Sequence, residues 1–182
     1  MITTQQIIAQ CTKYMYSFYP YLPVKYKATG KQWKIRQFVW GFKDGKNSSQ
    51  VAQMVAERLI TAFGNAAKDL VFCCIPASNK VKTEIRYKVF SDEVCRLTGA
   101  TNAYPYVKVS GEKLSLHETK RGKRVSSTEV IEVDEQFFAQ KRVIVFDDVL
   151  TKGITYGRFA QYLENLGATV VGGMFLAKTI EQ

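Results

Sequence analysis

The stretch Val143–Thr155, VIVFDDVLTKGIT, decides the fold. Its apolar opening is short and unbroken, which predicts a strand from Arg142 to Phe146 covered on both faces. Asp147 and Asp148 are expected to halt that strand. A short loop follows, and Thr155 is expected to cap a helix with Phe159, Tyr162, Leu163 and Leu166 inward and Gly167 at its end. Thr169 to Leu176 predicts a further strand. In a parallel sheet, ligands sit outside the carboxyl ends of the strands. There the loop amides and the helix N-terminus form a phosphate cradle that the hydroxyls of Thr151 and Thr155 complete. Gly153 lets the backbone approach an oxyanion closely. Asp147 and Asp148 would repel that phosphate, so they suit the hydroxyls of a sugar, or a metal. The ligand implied is a sugar phosphate with free hydroxyls, accompanied by Mg²⁺.

Outward from this stretch, Leu70–Ile75 is a second continuous apolar run, ended by Pro76. Residues from Thr83 to Leu97 predict a helix that Gly99 stops. Ser48 or Ser49 caps another, with Val51, Met54, Val55, Leu59, Ile60 and Phe63 on one face and Gly64 as its end. Gln32–Phe42 predicts a short helix closed by Asp44-Gly45. Thr4 to Phe18 has helical spacing, with Pro20 and Pro23 beyond it. Tyr104 to Lys123 is polar and basic and predicts a long loop with some strand character, and Thr128–Val133 alternates like a strand. Alternation of helix and buried strand through the second half predicts an α/β fold with a mainly parallel central sheet flanked by helices.

The chain has 182 residues, 46% of them apolar and 23% charged, which excludes a disordered tail, a collagen-like chain and a small disulfide scaffold. One domain is the expectation over 1–182, with 1–48 as a helical and aromatic extension and 49–178 as the ligand-binding core. No run of about 18 apolar residues occurs, so no membrane partner is expected. The N-terminus lacks a basic n-region and a cleavage site. Four cysteines without a C-x-x-C, and a single histidine, argue against a zinc site and fit a reducing cytoplasm. Twenty-six Lys and Arg against 16 Asp and Glu leave a net charge of +10. Lys25–Lys46 carries +6 of it and Lys108–Arg124 carries +4.

The stretch from Val143 to Thr155 resembles the signature with which type I phosphoribosyltransferases bind 5-phosphoribosyl-1-pyrophosphate (PRPP). All 13 positions match in kind, Lys152 standing where the family often has Thr or Ser. WKIRQFVWGFKDGKNSSQVAQMVAERL, with Ile35, Lys43 and Gly45, is similar to a segment of the ComF-like, competence-associated members, as is LVFCCIPAS. IRYKVFSDEVC keeps Arg86 of that group's Arg-Gly-Phe-Asn-Gln-Ala run and departs at Tyr87, Lys88 and Phe90. Their cysteine-rich zinc module is not present in this sequence, since Cys11 stands alone before Cys73.

The resemblance implies a type I phosphoribosyltransferase-like fold with a flexible hood loop. It implies that Thr151, Lys152, Gly153, Ile154 and Thr155 hold the 5-phosphate, and that Asp147 and Asp148 hold the ribose hydroxyls, directly or through Mg²⁺. It places pyrophosphate on Ala77, Ser78, Asn79 and Lys80, a loop that in the family often holds a non-proline cis peptide. The hood would fall on Lys108–Arg124, with Lys113, His117, Lys120 and Arg121 as candidates and Lys120 and Arg121 closing over the reacting group. The reaction implied is attack of a nitrogen nucleophile, a nucleobase or an amine, on C1 of the ribose with loss of pyrophosphate. Tyr14, Phe18, Trp33 and Trp40 offer either a stacking surface for a base or core. A homodimer is expected, because relatives often pair and the N-terminal helix face is apolar.

Two other readings stand beside this one. A regulator would keep the PRPP loop without turnover. A single-stranded nucleic-acid-binding protein would use basic segments interleaved with Trp and Tyr.

Overall fold

Asp147 and Asp148 lie inside a strand rather than beyond its end, and the architecture follows from the elements that enclose them. The computed structural model describes the backbone of residues 2–119 and 122–180, and the side chains of those outside 111–129. In chain order the elements are α1 (Thr4–Cys11), β1 (Tyr14–Tyr21), α2 (Gly30–Lys43), α3 (Ser48–Phe63), β2 (Val71–Cys74), α4 (Lys80–Thr98), β3 (Thr101–Asn102), β4 (Val107–Thr119), β5 (Gly122–Val133), α5 (Glu135–Phe138), β6 (Arg142–Leu150), α6 (Ile154–Asn165) and β7 (Thr169–Thr179).

Three expectations are corrected. The N-terminal helix ends at Cys11, and Tyr14–Tyr21 is a strand. Tyr14, Met15 and Phe18 fit a helical face, yet YMYSFYPY is rich in the aromatics that strands favour, and β1 pairs with β7. Pro20 is tolerated because β1 is an edge strand. The polar stretch after Tyr104 is one arm of an antiparallel hairpin, β4 with β5. The third correction is β6 itself, which continues through the acids: Asp147 is paired with Phe175 and Leu150 with Lys178.

The main sheet has the order β1-β7-β6-β2-β3, and every pair in it is parallel. On one face α2, α3 and α4 cover it with Val39, Phe42, Val55, Leu59 and Phe90, packed on Phe72, Ile144 and Phe146. On the other face α6 supplies Tyr156, Phe159 and Leu163 against Val143, Val145 and Phe175. α1 packs across α6, where a Cβ on Gly157 would stand 2.8 Å from the Ile7 carbonyl oxygen. Alternate residues of β6 thus enter opposite cores. Phe146, fully buried among Phe42, Phe72, Tyr87 and Phe90, alone contributes about 2–3 kcal/mol by burial.

This topology places a crevice. From β2 the chain leaves through α4 to β3, and from β6 it leaves through α6 to β7, in the opposite direction and over the opposite face. The order therefore reverses between the neighbours β2 and β6, and their carboxyl ends part there. The hairpin rises on the β3 side of the same edge, rooted by the Tyr106 ring stacked 3.7 Å from that of Phe137.

Candidate functional site

α4 runs beside the end of β6 and meets each acid with one residue. The guanidinium of Arg86 donates through Nη1 to Oδ2 of Asp148, and the Tyr87 hydroxyl donates to Oδ1 of Asp147 at 3.3 Å. Oδ1 of Asp147 also accepts the Asp148 amide at 2.8 Å. Asp148 is buried, 6% exposed, and Lys43 from the end of α2 brings its Nζ within 3.8 Å of Oδ1. Gly45 is what lets α2 end there. It has φ 74°, and a Cβ would lie 2.9 Å from the Ile85 carbonyl oxygen of α4. A carboxylate this buried is tolerable because two cations face it. Among the described residues no cation forms an ion pair with Asp147. Burial, followed by the charge of Asp148, pushes its pKa up to about 7, against the opposing pull of the two hydrogen bonds and of Arg86.

Lys43, Asp44, Ser78, Lys82, Arg86 and Asp148 line a cleft of about 460 Å³ at this point. Lys82 reaches back toward Ser78, Nζ to Oγ 3.5 Å. The Nε of Arg86, buried, has no hydrogen-bond partner among the described residues. Ser78 is the member of the expected pyrophosphate loop that enters the cleft. Ala77 packs against the core. Asn79 caps α4, its side chain accepting the Lys82 amide at 2.8 Å. Lys80 lines a separate cleft with Thr83, Tyr104 and the hairpin root. No cis peptide bond occurs among the described residues.

The loop after β6 is a turn whose last residue, Gly153, is the N-cap of α6 with φ 74°. Thr155 is thus the second helical residue and not the cap, and no side chain takes that place. The first helical bond runs from the Gly157 amide to the Gly153 oxygen, 2.8 Å. The amides of Ile154, Thr155 and Tyr156 are left without intrahelical partners at the positive end of the helix dipole. Thr151, Lys152, Ile154 and Thr155 are exposed around them, while Gly153 is buried against Cys11. The loop offers donors and a cation to solvent at the same carboxyl edge as the acids.

The acids, Ser78 and the loop after β6 therefore share the carboxyl edge on which the sequence reading placed them. Lys120 and Arg121 lie outside the described residues. Lys113 and His117 fall on β4, with side chains outside the description. The sequence sets Lys82 beside the expected pyrophosphate loop and marks Lys43 and Arg86 as positions of the resemblance, but gives none of them, nor Tyr87, a role at the acids. A signal existed for two of them, since Lys82 and Arg86 are four apart on one helix face, next to a strand that must bury carboxylates.

Among the described residues no cluster of three or more His, Cys, Asp or Glu side chains comes together, and Asp148 already faces Arg86 and Lys43. No helix is long and apolar enough to cross a membrane among the described residues.

No family model matches the chain, and no curated protein matches it. Among solved structures 46 chains match. One is a purine phosphoribosyltransferase from Pyrococcus horikoshii Ot3, 12% identical, with 91% of each chain covered and a TM-score of 0.36.

Proposed function

We propose that the protein binds PRPP in the crevice between β2 and β6 and transfers its phosphoribosyl group to a nitrogen nucleophile, with release of pyrophosphate. The observation that carries this reading is the juxtaposition of two opposite binding chemistries at one switch point. An open anion cradle at the start of α6 stands a few residues beyond two carboxylates, and three cations line the neighbouring cleft. A ligand that is phosphate at one end, polyhydroxylated in the middle and polyanionic at the other end fits that order.

On this reading the amides and hydroxyls of Thr151–Thr155 take the 5-phosphate, Asp147 and Asp148 the ribose hydroxyls, and Ser78, Lys82, Lys43 and Arg86 the pyrophosphate. The nitrogen lone pair attacks C1, the C1–oxygen bond breaks, and its electron pair leaves with pyrophosphate. The nitrogen then gives its proton to solvent. The chain contributes position and leaving-group stabilisation, and no covalent protein intermediate is needed. Magnesium enters as the counter-ion that pyrophosphate carries with it. A pyrophosphate-release assay on a panel of nucleobases and amines, run beside PRPP binding, tests this. Saturation at about 100 times Kd raises stability by roughly 2.7 kcal/mol, and Asp148→Asn diminishes that gain. An unshifted melting curve for the wild type overturns the proposal.

One observation favours a second reading, that of a PRPP-binding regulator. Asp148 is engaged by Arg86 and Lys43, so a ribose must compete for it. Binding without pyrophosphate release across the panel selects this second reading.

A further inference from the structure

The first 43 residues contain seven Lys and Arg and no Asp or Glu. Three of the seven have structural employment. Lys13 bridges to Glu164 at 2.5 Å, and Lys43 faces Asp148. Arg36, 3% exposed, donates to three carbonyl oxygens, those of Leu22 (2.7 Å), Pro23 (2.5 Å) and Tyr26 (2.8 Å). The remaining four, Lys25, Lys27, Lys31 and Lys34, are all exposed, and none pairs with a carboxylate among the described residues.

The backbone that carries these four lysines is held in place. Arg36 clamps the loop that carries Lys25 and Lys27, and the capping pair Thr29–Gln32 starts the helix that carries Lys31 and Lys34. Aromatic faces stand among them. Trp33 is 45% exposed, although burying an indole is worth more than burying almost any other side chain. Its ring meets that of Trp40 edge to face at 5.6 Å, and Trp40 donates to the Tyr21 hydroxyl at 3.2 Å. Tyr26 lies under the ammonium of Lys25 at 4.8 Å. Four exposed lysines and two aromatic rings, those of Tyr26 and Trp33, thus fall within the ten residues 25–34, leading into and starting α2. The cleft at Asp148 lies at the other end of that helix, roughly 20 Å away at 1.5 Å per residue.

We infer that this surface binds single-stranded nucleic acid, with the four lysines on phosphates and Trp33 stacking on a base. Base faces are available to an aromatic ring only where the strand is unpaired. An anionic membrane fits less well, because the apolar side of α2 is turned inward, with Val39 and Phe42 fully buried, and Val24 is the one strongly exposed aliphatic residue beside the lysines.

Fluorescence anisotropy with labelled oligo(dT) of about 15 nucleotides tests it. Four neutralised phosphates give a slope of log K against log salt of about −3. Lys31→Gln with Lys34→Gln flattens that slope by about 1.4. The charge-matched pair Lys68→Gln and Lys141→Gln, exposed elsewhere, leaves the slope unchanged. Trp33→Ala weakens binding by about 5- to 150-fold without changing the slope. All these side chains are exposed, and the melting temperature and PRPP-dependent shift of each variant report that the rest of the molecule is intact. The inference is overturned by absence of binding at low salt, by equal effects of the two lysine pairs, by an unaltered affinity in Trp33→Ala, or by adsorption to phosphatidylserine vesicles without strand binding.

Discussion

Two neighbouring residues of α4 settle the state of two neighbouring acids, and they do so unequally. Asp148 faces cations, whereas Asp147 has a phenol and an amide. Asp147 therefore titrates near 7 instead of 3.8, and the sign of the consequence follows. A group whose folded pKa is raised stabilises the fold when protonated, fully so below about pH 4. That contribution is lost as pH rises from about 4 through about 7 and is flat above. Asp147→Asn keeps an acceptor for both donors and cannot ionise. Urea midpoints should show it more stable than wild type at pH 8, the advantage shrinking to nothing by pH 4, and a gain that grows toward acid would refute the assignment. For the buried pair the expectation is a cycle. Arg86→Ala should cost about 3–5 kcal/mol because it strands a carboxylate with only Lys43 beside it. Adding Asp148→Asn on that background should recover part of the loss.

At the scale of elements, close backbone approach is where single atoms decide packing. A Cβ at Gly172 would lie 2.2 Å from the Tyr14 carbonyl oxygen in the adjacent strand, and at Gly157 it would lie 2.6 Å from Ile7 Cγ2 and 2.8 Å from the Ile7 carbonyl oxygen, so both meet backbone. Backbone cannot give as a side-chain tip can. Gly172→Ala should therefore loosen β1 from β7, while Gly157→Ala should cost about 1–3 kcal/mol and deprotect α1 in hydrogen exchange. Legibility divides along the same physical line. β2 and the first half of β6 were readable because both of their faces are buried, and α3 and α6 because their apolar faces end at Gly64 and Gly167. β1 was not, because Tyr14, Met15 and Phe18 satisfy a helical face as well as a strand, and only pairing with β7 separates the two. The continuation of β6 through Asp147 and Asp148 was hidden for a different reason. Acids end a buried strand unless another element neutralises them, and Arg86 and Tyr87 lie some 60 residues away in sequence. The turn after β6 was legible because its residues are contiguous, whereas Lys43, Lys82 and Arg86 come together at the cleft only through the packing of α2 and α4.

The whole molecule separates its positive charge into regions that act independently under physiological salt. α2 spans the distance between the Lys25–Lys34 surface and the crevice, roughly 20 Å. Two unit charges that far apart in water interact by roughly 0.2 kcal/mol before screening. At 0.15 M salt the Debye length is about 8 Å, which cuts each such pair to roughly a tenth of that. At 0.01 M the Debye length is about 30 Å and about half of it survives. On the proposed function, bound PRPP would bring negative charge to the crevice and should repel a strand on the lysine surface only when screening is weak. Strand affinity measured with and without saturating PRPP should differ by less than twofold at 0.15 M and should be measurably weaker with PRPP at 0.01 M. By linkage the strand should weaken PRPP by the same factor at each salt. A strong coupling that persists at 0.15 M would mean that α2 transmits a structural change between its ends, and the Arg36 clamp would be the first residue to substitute in locating it.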